Sequence, residues 1–131
     1  MDDVTHFALK LAAAGLLALT AGQAAAAPPK APKACFSARS VTNFSAVDDR
    51  TVNIRVGVRD VYQLDLFGFC PDIDWQNEIA IKSRGSSFIC SPLDATILVR
   101  GPFDRIERCE VRGMRKLTEA EIAALPPRHK P

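Results

Sequence analysis

The sequence predicts an all-β domain, mainly antiparallel, arranged as a small sandwich or barrel and ending in one short C-terminal helix. Three observations predict it. Apolar and polar residues alternate with a period of two through residues 51–66, the pattern of a strand with one buried and one wet face. Turn-forming residues interrupt short apolar runs at intervals of about eight to twelve residues, as in antiparallel sheets. A capping sequence then opens a helical run near the C-terminus.

In chain order, "RSVTNFS" offers Val41 and Phe44 to a first strand, which stops at the polar turn "DDR" of Asp48–Arg50. "TVNIRVGVR" sets Val52, Ile54, Val56 and Val58 on one face and Thr51, Asn53, Arg55, Gly57 and Arg59 on the other. "YQLDLFG" turns Tyr62, Leu64 and Leu66 inward and Gln63 and Asp65 outward, and a hairpin turn over Gly57–Asp60 joins the two runs. "EIAIKS" aligns Ile79 with Ile81, and "SRGSS" makes a turn into "SFIC". "DATILVRG" alternates at Ala95, Ile97 and Val99 until Gly101-Pro102 breaks the run. "RIERCEVRGM" supplies the last strand, with Cys109 and Val111 on one face. In "LTEAEIAAL", Thr118 is the N-cap, Glu121 completes a capping box and Pro126 ends the helix, which offers Leu117, Ile122 and Leu125 for packing. No internal repeat and no second domain is visible.

Ahead of these elements, residues 1–26 read as a secretory signal peptide. Lys10 precedes the uncharged stretch "LAAAGLLALTA", and Ala24 and Ala26 form an A-x-A cleavage site. Asp2 and Asp3 depart from the usual basic start of such a signal. The competing reading is an uncleaved membrane helix. That needs roughly 20 predominantly apolar residues, and the charge-free stretch here is shorter and rich in alanine. Residues 27–34 follow as a proline-rich leader, residues 35–126 as the β-domain and residues 127–131 as a tail. The expected location is periplasmic or secreted, with no stable membrane insertion after cleavage. Formal net charge is +2, with both signs interspersed. Single-sign blocks of the kind that bind nucleic acid or membranes are missing, so nucleic acid is not an expected partner.

Cys35, Cys70, Cys90 and Cys109 all lie beyond the cleavage site. An even number in a short exported chain predicts two disulfides, each contributing about 2–4 kcal/mol, mainly by restricting the unfolded chain. A zinc site is disfavoured, because there is no C-x-x-C knuckle and His129 falls in the tail. Among the possible pairings, the expected strand order favours Cys35 with Cys109 and Cys70 with Cys90. The first and last strands of a closing barrel lie side by side, and Cys70 and Cys90 bracket the stretch with the weakest strand pattern.

"ACFSARSVTNFSAVDDRTVNIRV", "YQLDL", "CPDIDW", "SRGSSFIC" and "RCEVRGMRKLTEAE" together resemble a family of small exported proteobacterial proteins of unknown function. Its members share the four-cysteine layout and a terminal "LT-E-E" helix. The resemblance spans Cys35 to Leu125. It implies export and a β-domain, and it transfers no functional residue.

Chemistry is constrained mainly by what is missing. His6 lies in the signal and His129 in the tail, which argues against Ser-His-Asp and Cys-His catalysis and against histidine-ligated metals. Paired cysteines leave no thiol nucleophile. "GVRD" and "SRGSS" lack the strand-loop-helix setting of a phosphate loop. No catalytic residue, metal or cofactor is implied. The carboxylates of "CPDIDW" remain: Asp72 and Asp74, if extended, point the same way, and with Asp65 or Glu78 could hold calcium or act as an acid/base pair. The plainer reading is a polar loop whose aspartates cap turns, since calcium sites gather more oxygen ligands. Trp75, the sole tryptophan, reads as a core or half-buried plug rather than a stacking platform. Arg55 and Arg59 share the wet face of one strand, and Arg108 and Arg112 have the matching spacing on another. Neighbouring strands would join them into a basic stripe suited to an anionic glycan or an acidic protein surface; the plainer reading is a solvated face with Asp65 and Glu110 interleaved.

The function expected is that of a non-catalytic, exported binding or envelope-accessory domain, with an envelope protein or an anionic glycan as partner. Its candidate binding residues are Asp72, Asp74, Trp75, Arg55 and Arg59. An inhibitor of an envelope hydrolase is the alternative within binding, because a stapled β-domain presents rigid loops at little ordering cost. A carboxylate-dependent enzyme using Asp72 and Asp74 is the alternative of a different class.

Overall fold

A computed structural model describes residues 34–131. The signal peptide read at residues 1–26 and all but the last residue of the leader lie outside the described residues. The strands are β1 (Phe36–Ser37), β2 (Val41–Asp48), β3 (Thr51–Val56), β4 (Asp60–Leu66), β5 (Ala80–Ser83), β6 (Phe88–Ile89), β7 (Ala95–Arg100) and β8 (Ile106–Lys116), followed by the helix α1 (Glu119–Ala124). Six of them form one antiparallel sheet in the order β2-β3-β4-β8-β7-β5, and β1 pairs with β6 as a separate ribbon. The sheet curls into a half-barrel. The chain is therefore all-β and mainly antiparallel, with one short C-terminal helix.

Alternation decides which side is concave. Val52 and Ile54 of β3, Tyr62, Leu64 and Leu66 of β4, Ile97 and Val99 of β7, and Cys109 and Val111 of β8 face one core. Full burial of a Val, Leu or Ile side chain contributes about 1.5–3 kcal/mol, so the inward set dominates the energetics. The ribbon closes the top of this core through Phe36, whose ring lies 4.9 Å from that of Tyr62, and through Ile89. Val58 departs from the inward pattern. β3 stops at Val56, Gly57 takes φ 62° in the hairpin turn, and Val58 is left exposed at its tip.

The disulfides form with a different pairing from the one expected: Cys35 joins Cys90, and Cys70 joins Cys109. β1 leaves the main sheet to pair with β6, and the Phe36↔Ile89 register places Cys35 beside Cys90, with Cα atoms 4.2 Å apart. β8 is not next to the first strand; it lies between β4 and β7. The chain leaving β4 continues along it, Phe67 N–H donating to the Glu110 carbonyl at 3.0 Å, and so brings Cys70 to Cys109. Strand order overrode position in the sequence.

β8 also carries a bulge. Asp65 pairs with Gly113 and Leu66 with Val111, so Arg112 is an extra residue and the alternation of β8 reverses there. A β-carbon on Gly113 would stand 2.9 Å from Asp65 Oδ2, and only glycine leaves that carboxylate its place.

At the C-terminus the capping box forms as read. Thr118 Oγ1 accepts from the Glu121 N–H, and Glu121 Oε2 accepts from the Thr118 N–H. Residues 127–131, expected as a tail, lie instead across β2 and β3. Asn53 Nδ2 donates to the His129 carbonyl at 2.9 Å, Ser45 Oγ to the Arg128 carbonyl, and the Arg55 guanidinium to the Pro131 carbonyl. Asn53, expected to be wet, is fully buried as a result. Val61 and Leu117 are buried too, outside the main core, with Leu117 N–H donating to the Val61 carbonyl at 2.8 Å.

Candidate binding face

The convex side of the sheet is thus unequally treated. Over β2 and β3 it is covered by residues 127–131. Over β5, β7 and the first half of β8 no element of the described chain covers it. Register lays out the rows of this bare half. Lys82 stands beside Thr96 and Thr96 beside Glu110; Ala80 beside Leu98 and Leu98 beside Arg108; Arg100 pairs with Ile106. These residues alternate with Ile97, Val99 and Cys109, which point into the core.

Trp75 stands at the rim of this face. The turn Ile73–Trp75 is a short 3-10 helix entered through Asp72 in the left-handed conformation, at φ 59°. Ile73 is fully buried and anchors the turn, while Trp75 is 81 % exposed. The next residue ties the turn to the sheet, Gln76 Nε2 donating to the Arg100 carbonyl at 2.9 Å. Between the segment Trp75–Ala80 and Leu98, Arg100 and Ile106 lies a cleft of about 420 Å³. A second cleft of about 190 Å³ shares Leu98 and is lined by Lys82, Arg84, Thr96, Arg108 and Glu110.

The face is cationic with partial internal pairing. Arg84 meets Glu110 at 3.1 Å, and Thr96 Oγ1 donates to the same Glu110 oxygen at 2.9 Å. Arg100 meets Asp104 at 2.9 Å. Among the described residues, Lys82 and Arg108 enter no ion pair. The β7–β8 turn beside the rim holds Phe103 at φ 60° and 96 % exposed. A bulky residue at positive φ is a backbone outlier.

A family model described as a family of unknown function, DUF6491, matches residues 5–129. The chain belongs to the DUF6491 family. Among curated proteins and among solved structures, no relative matches it. For this DUF6491 chain, function therefore has to be read from the site itself.

The residues singled out in the sequence fare differently in the DUF6491 fold. Trp75 is not the core or half-buried plug expected; Ile73, two residues earlier in the same turn, takes the buried place. Asp72 and Asp74 are not extended side by side. Both are exposed on a tight turn on either side of buried Ile73, and among the described residues no group of three or more His, Cys, Asp or Glu could hold a metal ion. Arg55 is engaged within the chain, donating to the Pro131 carbonyl from both Nε and Nη2 and to the Val58 carbonyl from Nη1. Arg59 is exposed in the β3–β4 turn.

The basic stripe does not form. β4 separates β3 from β8, and Arg112 sits in the bulge. A different set of cations assembles, Lys82, Arg84, Arg100 and Arg108, of which only Arg108 belongs to the expected stripe. Their signal was present as the residues alternating with Ile81, Ile97 and Cys109. It could be used only once β5, β7 and β8 were known to be neighbours.

Proposed function

We propose that this chain is a non-catalytic, exported binding domain that engages its partner in the cell envelope through the bare face of β5, β7 and β8, with Trp75 at the rim. The observation that carries this reading is the contrast between the two halves of one convex surface. One half is covered by the chain's own C-terminal residues, and the other leaves Trp75, Ile106 and Leu98 beside four cations. Exposed aromatic and apolar side chains gathered at a cleft mark interaction sites. Two disulfides suit an oxidising compartment, and no helix of the described residues is long and apolar enough to cross a membrane.

The test uses the full chain expressed with its leader. Intact mass of the protein recovered from the periplasmic fraction should lack residues 1–26. Titration with envelope extract should shift the emission of Trp75, the only tryptophan. Emission that stays unchanged at saturating extract overturns the reading.

Phe103 favours a second reading, an inhibitor of an envelope hydrolase. A fully exposed aromatic held at positive φ on a turn is a knob that could enter a cleft. Loss of hydrolase inhibition by envelope-derived samples in Phe103→Ser, with Trp75→Ala unaffected, would select it over the first.

A further inference from the structure

Resting on that reading, we infer that the occupant of the β5–β7–β8 face is an anionic polysaccharide, lying along the two adjoining clefts with a sugar ring over Trp75 and its acidic groups at Lys82 and Arg108. The shape comes first. The clefts of about 420 and 190 Å³ share Leu98 and run on from one another, one opening at Trp75 and the other reaching Arg84. That is a trough for a chain rather than a hole for a compact ligand.

The lining comes second. The smaller cleft is walled by Lys82, Ser83, Arg84, Thr96, Arg108 and Glu110, with Leu98 its one apolar residue. A protein partner gains most from a deep, fully desolvated apolar pocket, which the smaller cleft does not provide; the larger one sets its apolar Trp75, Leu98 and Ile106 beside Gln76, Asn77 and Arg100. Gln76 Nε2 and Ser83 Oγ already donate within the chain, which leaves Gln76 Oε1 and the Ser83 Oγ lone pairs as acceptors for the hydroxyls of a polyhydroxyl chain.

Charge comes third. Glu110 is already taken by Arg84 and Thr96, and Asp104 by Arg100. Glu78, which lines the larger cleft and enters no ion pair among the described residues, keeps the acidic groups of a ligand to the smaller cleft. Lys82 and Arg108 are left with their charge unmatched on either side of β7, so an anion gains attraction there without breaking an existing pair. A second copy of this chain would set like charges against each other. The exposed indole at the rim supplies the flat apolar platform that a sugar face requires, and Ile73 and Gln76 hold its turn in place.

The test is a titration of the full chain with polygalacturonate, and with neutral dextran as its uncharged counterpart, followed by Trp75 emission and by calorimetry. Polygalacturonate should bind and shift the emission, and dextran should bind at least about tenfold more weakly. Affinity should fall as ionic strength rises, because the contacts are exposed and screened. The double variant Lys82→Gln with Arg108→Gln should lose about tenfold or more in affinity, with circular dichroism and Tm unchanged. Trp75→Ala should also weaken binding by calorimetry, which separates stacking from charge.

Equal binding of dextran and polygalacturonate overturns the inference. So does a polyanion affinity that the double variant leaves intact, since that places binding elsewhere. If polygalacturonate is inert while envelope extract shifts Trp75 emission in a protease-sensitive way, the polysaccharide inference fails and the binding reading stands on a protein partner. If neither shifts it, both fail.

Discussion

Gln63 and Arg115 face each other across β4 and β8, the Gln63 Oε1 accepting from Arg115 Nε at 3.2 Å and Nη2 at 3.0 Å. The pair is the middle of a longer line. Gln63 Nε2 donates to Asn53 Oδ1 at 3.2 Å, Asn53 donates on to the His129 carbonyl, and Arg115 meets Glu121 at 2.7 Å. One row of polar side chains thus joins the C-terminal residues, three strands and α1. Together with Ser45 and Arg55, which donate to the Arg128 and Pro131 carbonyls, it ties the C-terminal residues onto the convex surface.

Asn53 is the buried member of that line and should be its weak point. Asn53→Ala leaves the His129 carbonyl and the Gln63 amide without their partner, an expected loss of about 1–3 kcal/mol. Gln63→Ala, half-buried, should cost about 0.5–1.5 kcal/mol. Urea unfolding of both single variants and the double variant gives the coupling, which should differ from zero for groups in direct contact. Strictly additive losses would show that the two side chains act independently.

The helix cap makes a prediction about pH. The Glu121 carboxyl is held below its ordinary pKa, first by the Thr118 backbone N–H and then by the Arg115 side chain. Its folded value lies below its unfolded one, so its stabilisation is complete above the ordinary glutamate range. It is lost as pH falls from about 4.3 through the lowered folded value. Stability measured across this acidic range should decline less steeply in Glu121→Gln than in the wild-type chain. Identical slopes would remove the cap from the account.

Disulfide mapping checks the strand order directly. Proteolysis under non-reducing conditions should release Cys35 linked to Cys90 and Cys70 linked to Cys109. Replacing Cys70 and Cys109 together by Ser should cost about 2–5 kcal/mol. A Cys35–Cys109 peptide would contradict the separate β1–β6 ribbon.

Ile73 and Trp75 share one turn and should behave oppositely. Ile73→Ala empties a fully buried position and should cost about 2–5 kcal/mol. Trp75→Ala, at 81 % exposure, should change stability by less than about 0.5 kcal/mol. Thermal or urea unfolding of the two variants decides the matter, and a large loss at Trp75 would place the indole in the core after all.

The same two residues show where reading from sequence alone stops. "PDIDW" has no period, so nothing local indicates whether Ile73 or Trp75 fills the core; the larger aromatic was the natural expectation. The answer depends on a tight turn whose direction is set by Cys70 bonded to Cys109 and by Gln76 bonded to Arg100, contacts distant in the chain. Asp72 and Asp74 could not be placed for the same reason.

What the sequence determined by itself is whatever rests on neighbours within one strand or one helical turn. Alternation in residues 51–66 and 95–99 specified β3, β4 and β7 and their inward faces, and Thr118 with Glu121 specified the start of α1, because those preferences act over a few residues. The tertiary structure alone decided which strands touch. It placed β8 between β4 and β7, sent β1 to β6, and so set both cysteine pairings, separated the arginines of β3 from those of β8, and gathered Lys82 with Arg108 across β7. The physical reason is that antiparallel pairing joins residues far apart in the chain through backbone hydrogen bonds, which are alike for every sequence. Side-chain pattern says which face of a strand is buried, but the partner is chosen only when all the inward faces are packed into one core.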